Sequence, residues 1–205
     1  MQREKAIELL EKHVTTPHII RHCYAVEAVM RRLAEKLEPE KIDDWGIAGL
    51  LHDLDNDLVD WESDMSVHGP KTVEVMKVEG IGNEQMYRAI LAHNPANGSK
   101  IESTFERAMY AADPITGFIN AIALVYPDKK IKSVKVKSIV KRMKETRFAA
   151  GANREAMKSI EILDISFDVH YFFDFGRNFS HTYIIWHINC FKESISEQSV
   201  CNIGN

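Results

Sequence analysis

AGLLHDLDND, residues 48–57, sets the problem that the fold has to solve. An apolar run ends in His52 and Asp53, and two more aspartates, Asp55 and Asp57, follow at once. An ionisable side chain buried without a partner is costly, so it must be ion-paired, hydrogen-bonded or bound to a metal. Two buried neighbours make the demand stronger, and the partners have to come from elsewhere in the chain.

The segments around this stretch read as helices. REKAIELLEKH (3–13) has apolar positions at Ala6, Ile7, Leu9 and Leu10. PHIIRHCYAVEAVMRRLAEKL (17–37) places Ile19, Cys23, Val26, Met30, Leu33 and Leu37 at helical spacing, with Pro17 suited to its start. EKIDDWGIAGLLHDL (40–54) is a third helix with acids in its opening turn. HGPKTVEVMKVEG (68–80) and NEQMYRAILAHN (83–94) follow, separated at Gly80 and Gly82. STFERAMYAAD (103–113) opens on Ser103 and Glu106, a capping-box pattern, and Pro114 is expected to kink or restart the helix. SVKVKSIVKRMKETRF (133–148) and NREAMKSIEIL (153–163) complete the series. The expected class is all-α. Past about residue 166 the composition turns to Phe, Tyr, His and Ser with little periodicity, so the chain divides into 1–165 and a C-terminal arm or tail, 166–205.

Composition sets the bounds. The chain has 205 residues, 45% of them hydrophobic, enough for one ordinary domain with an appendage. No run approaches the ~20 apolar residues of a membrane span. The N-terminal stretch is charged and amphipathic, unlike a signal peptide, so a soluble cytoplasmic protein is expected. The three cysteines, Cys23, Cys190 and Cys201, do not suggest a disulfide framework, and Cys23 reads as a small core residue. Net charge is −4, but residues 129–158 hold eleven Lys or Arg against two acids. Such a stretch can steer an anionic ligand, and it reads equally well as a solvated helix face. Without aromatic interleaving it does not suggest a nucleic-acid domain.

Candidate partners for His52 and Asp53 lie on other helices. His22 shares the buried face of its helix with Ile19 and Val26. Asp113 follows Met109 by four residues and also faces inward. His68 opens one helix and His93 closes another. Singly, each has an ordinary reading: His22 as a hydrogen-bonded core histidine, Asp113 as a turn or cap residue, His68 as a loop residue, His93 as a residue favoured by a helix C-terminus. Together they form a set of imidazoles and carboxylates that suits Fe, Mn, Zn, Ni or Co.

His22, then His52-Asp53, then Asp113 resemble, in order and spacing, the H…HD…D signature of the HD superfamily of metal-dependent phosphohydrolases. AGLLHDL is similar to the central motif of that family. VHGP (67–70) and AILAH (89–93) resemble the subset with two extra histidines, which generally holds two metals. The resemblance covers roughly residues 18–125, and RFAAGANRE (147–155) is similar to a segment of a group of uncharacterised predicted HD hydrolases. It implies an HD-type helical bundle with a divergent tail. One divalent ion would be held by His22, His52, Asp53 and Asp113. A second would be held by His68 and His93, with Asp53 bridging.

The activity this resemblance implies is hydrolysis of a phosphate ester or anhydride of a small nucleotide-type substrate by metal-activated water. Asp53 and Asp57 are the catalytic candidates. If the third helix continues, Asp57 points the same way as Asp53 and orients the water. Asp55 reads as a solvated loop carboxylate. Lys71, Arg142, Arg147 and Arg154 are the candidates for meeting an anionic substrate, with donors from a helix start near Asn153. A dinucleoside polyphosphate is slightly favoured over other nucleotides. Two alternatives are a regulatory HD module that binds metal or nucleotide without turnover, and a di-iron oxygenase of HD type. The partner is a small anionic phosphate compound rather than a membrane or nucleic acid, with a homodimer left open.

Overall fold

A computed structural model of the chain describes residues 2–165. Among these residues it forms eight α-helices and short 3-10 turns, with no strand. The arm expected over 166–205, with Cys190 and Cys201, lies outside the described residues. The helices are α1 (Gln2–His13), α2 (Pro17–Leu37), α3 (Ile42–Leu51), α4 (Pro70–Val78), α5 (Glu84–His93), α6 (Thr104–Leu124), α7 (Val136–Met143) and α8 (Arg154–Lys158).

The short helix α3 is the centre of the bundle. All of its residues from Trp45 to Leu51 are buried, as expected for a helix that is apolar on every side. It packs mainly on α2 and also touches α1 and α5. Trp45 stacks on Phe105 of α6 with ring centroids 4.7 Å apart. Leu50, Leu51 and Leu54 are fully enclosed, each worth about 1.5–3 kcal/mol of transfer free energy as an upper estimate.

A close approach brings α2 and α3 together. A Cβ on Gly49 would lie 3.0 Å from the Glu27 backbone, a tighter contact than side chains ordinarily make, so glycine eases the close approach there. Beside this contact Glu27 is buried and paired. It accepts from Arg3 Nε at 2.6 Å and Nη2 at 2.9 Å, and from Arg31 Nε at 2.9 Å. Arg31 also reaches Asp43 at 2.8 Å, so one polar network ties α1, α2 and α3. Cys23 is buried on the inner face of α2, the small core residue the sequence suggests.

Four elements differ from the sequence expectation. α3 ends at Leu51, and residues 52–58 continue as tight turns closed by i→i+3 bonds such as Leu54 N–H to Leu51 O. α6 runs without interruption through Pro114, and its capping box of Ser103 and Glu106 is present. The basic segment yields a helix of 8 residues rather than one over 133–148. NREAMKSIEIL gives a helix of 5 residues followed by a 3-10 turn.

Candidate metal centre

The end of α3 is where four other elements converge. α2 brings His22, α6 brings Asp113, α5 ends in His93, and the residues before α4 bring His68. His22 Nε2 lies 3.2 Å from His52 Nε2 and 2.9 Å from Asp113 Oδ1. His68 Nε2 lies 2.9 Å from His93 Nε2 and 3.1 Å from Asp53 Oδ1. The six residues thus form two groups, His22–His52–Asp113 and Asp53–His68–His93, the ligand atoms of each lying within 4.8 Å of one another. Asp53 lies between them: Oδ2 is 3.5 Å from His22 Nε2, and Oδ1 is 3.3 Å from His52 Nε2. A carboxylate in that position can serve both groups.

Each histidine is anchored through its other ring nitrogen. His52 Nδ1 faces the Gly49 carbonyl at 2.9 Å, and His93 Nδ1 bonds the Ile90 carbonyl. A carbonyl only accepts, so both Nδ1 atoms carry the hydrogen. His68 Nδ1 donates to Asp55 Oδ1 at 2.7 Å. His22 Nδ1 lies 2.9 Å from Thr116 Oγ1, whose own hydrogen goes to the Asp113 carbonyl. Each ring therefore turns Nε2 to the centre, and that atom offers a lone pair there whenever the imidazole is neutral.

This geometry tests whether metal ions fit. Two facing lone pairs about 3 Å apart repel unless a proton or cation lies between them. Two ligands bound about 2.1 Å from one ion at ordinary angles are themselves about 3.0–3.4 Å apart. The pairs His22–His52 and His68–His93 are close to that separation, so the donors suit two divalent ions, one per group. Nitrogen and carboxylate ligands suit first-row transition metals without selecting one.

A family model, that of the HD domain, matches residues 19–117. Residues 19–117 are an HD domain. The match begins just before His22 and ends just after Asp113, so it takes in all six candidate ligands. The HD domain belongs to a superfamily of metal-dependent hydrolase type. No curated protein and no solved structure matches the chain.

Electrostatics in this HD domain follow from burial and mutual pairing. Burial disfavours the charged form of His22, but the Asp113 hydrogen bond and the charge of Asp53 outweigh it and raise its pKa to about 8. Burial is likewise outweighed at His68, which Asp53 and Asp55 hold at about 10. His93 is lowered, by burial first and then by His52. Asp53 is held well below the carboxylate range although burial opposes it, through the charge of His52 and the His68 hydrogen bond. Asp113 is lowered against burial by His22 and His52. Divalent ions held by these residues would take the place of the protons the pairs hold.

Asp55 is the residue the sequence misread. It is fully buried rather than solvated. Besides His68, it accepts from Gly69 N at 2.7 Å and Thr72 N at 3.1 Å. It thereby caps α4 from another segment, where Gly69 has no side chain to do so. Gly69 has φ of 101°, which favours glycine. Thr116 was also missed; its place three residues after Asp113 is the only sequence signal.

The remaining predicted residues do not join the ligand groups. Asp57 does not point with Asp53, because i→i+3 turns advance about 120° per residue and rotate it away. Its carboxylate instead accepts from Thr15 N at 2.7 Å and Thr16 N at 2.9 Å, at the start of α2. Lys71 pairs with Glu74 at 2.7 Å. Arg142 pairs with Glu145 and lies over the Phe148 ring at 4.5 Å. Arg154 donates to the carbonyls of Glu145, Phe148, Ala149 and Ala152, fixing its own loop. Arg147 is exposed. Asn153 uses its side chain to accept from Ala156 N, capping α8 itself.

A cavity of about 530 Å³ opens beside the centre, with His22, His93 and Asp113 in its wall and Tyr110 and Asn153 further out. None of Lys71, Arg142, Arg147 or Arg154 lines it.

Proposed function

We propose that the chain is a metal-dependent phosphohydrolase that cleaves a phosphate ester or anhydride of a small nucleotide-type substrate. The observation that carries this reading is the paired ligand groups of an HD domain opening onto a small-molecule cavity through His22, His93 and Asp113. When bound, divalent ions supply Lewis acidity there: they acidify water and neutralise charge developing on phosphoryl oxygens.

The chain's own residues do the rest. Asp53, between the two groups, keeps them in register. The Gly49 and Ile90 carbonyls hold the Nδ1 hydrogens of the buried His52 and His93, so that Nε2 of each faces the ligand groups. Asp55 does the same for His68 from a fully buried position. Tyr110 Oη accepts from Asn153 Nδ2 at 3.3 Å, which leaves its hydrogen free to donate to a leaving oxygen in the cavity.

The test is phosphate release by the full chain loaded with manganese or reduced iron, across monoesters, diesters and anhydrides. Release that a chelator abolishes and Asp53→Asn removes is expected. A loaded protein that releases phosphate from no class contradicts the proposal and favours a regulatory module.

A further inference from the structure

The cavity is electrically one-sided. Its ligand end, at His22, His93 and Asp113, would be made positive by bound divalent ions. Beyond Asp113 its wall is built from α6, with Tyr110, Pro114 and Gly117, and from the facing loop, with Gly151, Ala152 and Asn153. These are neutral, and among the described residues no lysine or arginine reaches the wall. The basic segment spends its best-placed arginines elsewhere: Arg154 on loop carbonyls, Arg142 on Glu145 and Phe148.

We infer that the substrate is a phosphomonoester: a single terminal phosphoryl group at the ligand end and an uncharged organic group, no larger than about one nucleoside, in the cavity. This rests on the phosphohydrolase reading above. A second or third phosphate would lie over the neutral wall beside the Asp113 carboxylate. No lysine or arginine among the described residues would meet its charge there, and enclosing an uncompensated charge is costly. The volume of about 530 Å³ is in the lower half of the usual small-molecule range of about 300–1,000 Å³ and suits one ring system better than two. The slight preference for a dinucleoside polyphosphate drawn from VHGP is therefore reversed.

Gly117 marks where the organic group goes. It sits inside α6, where glycine weakens a helix. A Cβ there would meet nothing within 4 Å, so no packing contact requires the glycine. It is exposed and lines the cavity, and what it supplies there is clearance. In the reaction, the oxygen of water bonds to phosphorus as the P–O bond to the alcohol breaks. One proton of that water goes to the departing alcohol oxygen, and the products are inorganic phosphate and the alcohol, with no redox partner.

The experiment compares a nucleoside 5′-monophosphate, the same nucleoside's triphosphate and a dinucleoside tetraphosphate on manganese-loaded full chain, by turnover and by calorimetric binding, with inorganic phosphate as the reference ligand. The monophosphate should exceed the other two in kcat/KM by at least about tenfold. Gly117→Leu, which adds a side chain to the cavity wall, should raise the monophosphate KM and Kd about tenfold. It should leave metal content and the Kd of inorganic phosphate as they are, and its Tm equal or higher because leucine favours a helix. Preference for the triphosphate or tetraphosphate, or a Gly117→Leu protein with unchanged KM and Kd, overturns the inference while phosphohydrolysis stands. Failure of the loaded protein to bind inorganic phosphate or turn over any of the three overturns the phosphohydrolase reading, and this inference with it.

Discussion

At the scale of single residues, the centre depends on what lies behind each ligand. Asp55 is fully buried, fixes His68 as the Nδ1–H tautomer and makes Nε2 a better donor. Asp55→Asn keeps the shape and removes the charge. It should weaken the affinity of the Asp53–His68–His93 group for its ion by about 10–100-fold, measured by metal titration, and leave the other group nearly unchanged. Asp57 serves a different purpose at the start of α2. Asp57→Ala should cost about 1 kcal/mol in denaturant unfolding, like the loss of a helix cap, with metal content unaltered. Histidine titration sets the pH dependence. In the metal-free protein His22 and His68 hold their protons more tightly folded, at about 8 and about 10, than unfolded, at about 6.5. Their contribution to stability is complete below about pH 6.5 and is lost as pH rises through those values. In the loaded protein ions replace the protons, so that loss disappears. The gap in Tm between loaded and chelated protein should widen from about pH 6.5 to 9; a constant or narrowing gap would contradict this assignment of protons.

At the scale of elements, α3 owes its position to Gly49. A side chain there would crowd the Glu27 backbone of α2, the helix that carries His22, at 3.0 Å from its Cβ. Gly49→Val should cost about 1–3 kcal/mol by overpacking and, by parting α2 from α3, lower metal content in a protein that still shows helical circular dichroism. Retained metal with lost stability would show that the two helices can part without separating the ligands. The element scale also explains what could be read in advance. The helices α1, α2, α4, α5 and the first half of α6 were legible because each has one apolar face and clear end signals, such as Pro17 and the Ser103–Glu106 box. The six candidate ligands were legible because each sits on or next to such a face. Asp55 was not, because its burial depends on tight turns after Leu51 and on the bare N-terminus of α4, both tertiary facts. Arg154 was misread for the opposite reason: a charged residue in a basic segment looks available, and only the fold reveals that four carbonyls occupy it.

At the scale of the whole molecule, five elements from separate stretches of the sequence bring their polar residues to one end of a buried apolar helix. Ions that bind the folded chain and not the unfolded one stabilise it by mass action, so stability and metal occupancy are linked. The described helices include none long and apolar enough to cross a membrane, and the two ligand groups are buried or half-buried and open onto the cavity. The most direct test is the metal-to-protein ratio of the purified full chain and of His68→Ala, measured in parallel by elemental analysis. A ratio of about two that falls to about one is predicted, because His68 belongs to one group only. A ratio of about one in both proteins would contradict the paired centre and leave His68 and His93 as structural residues.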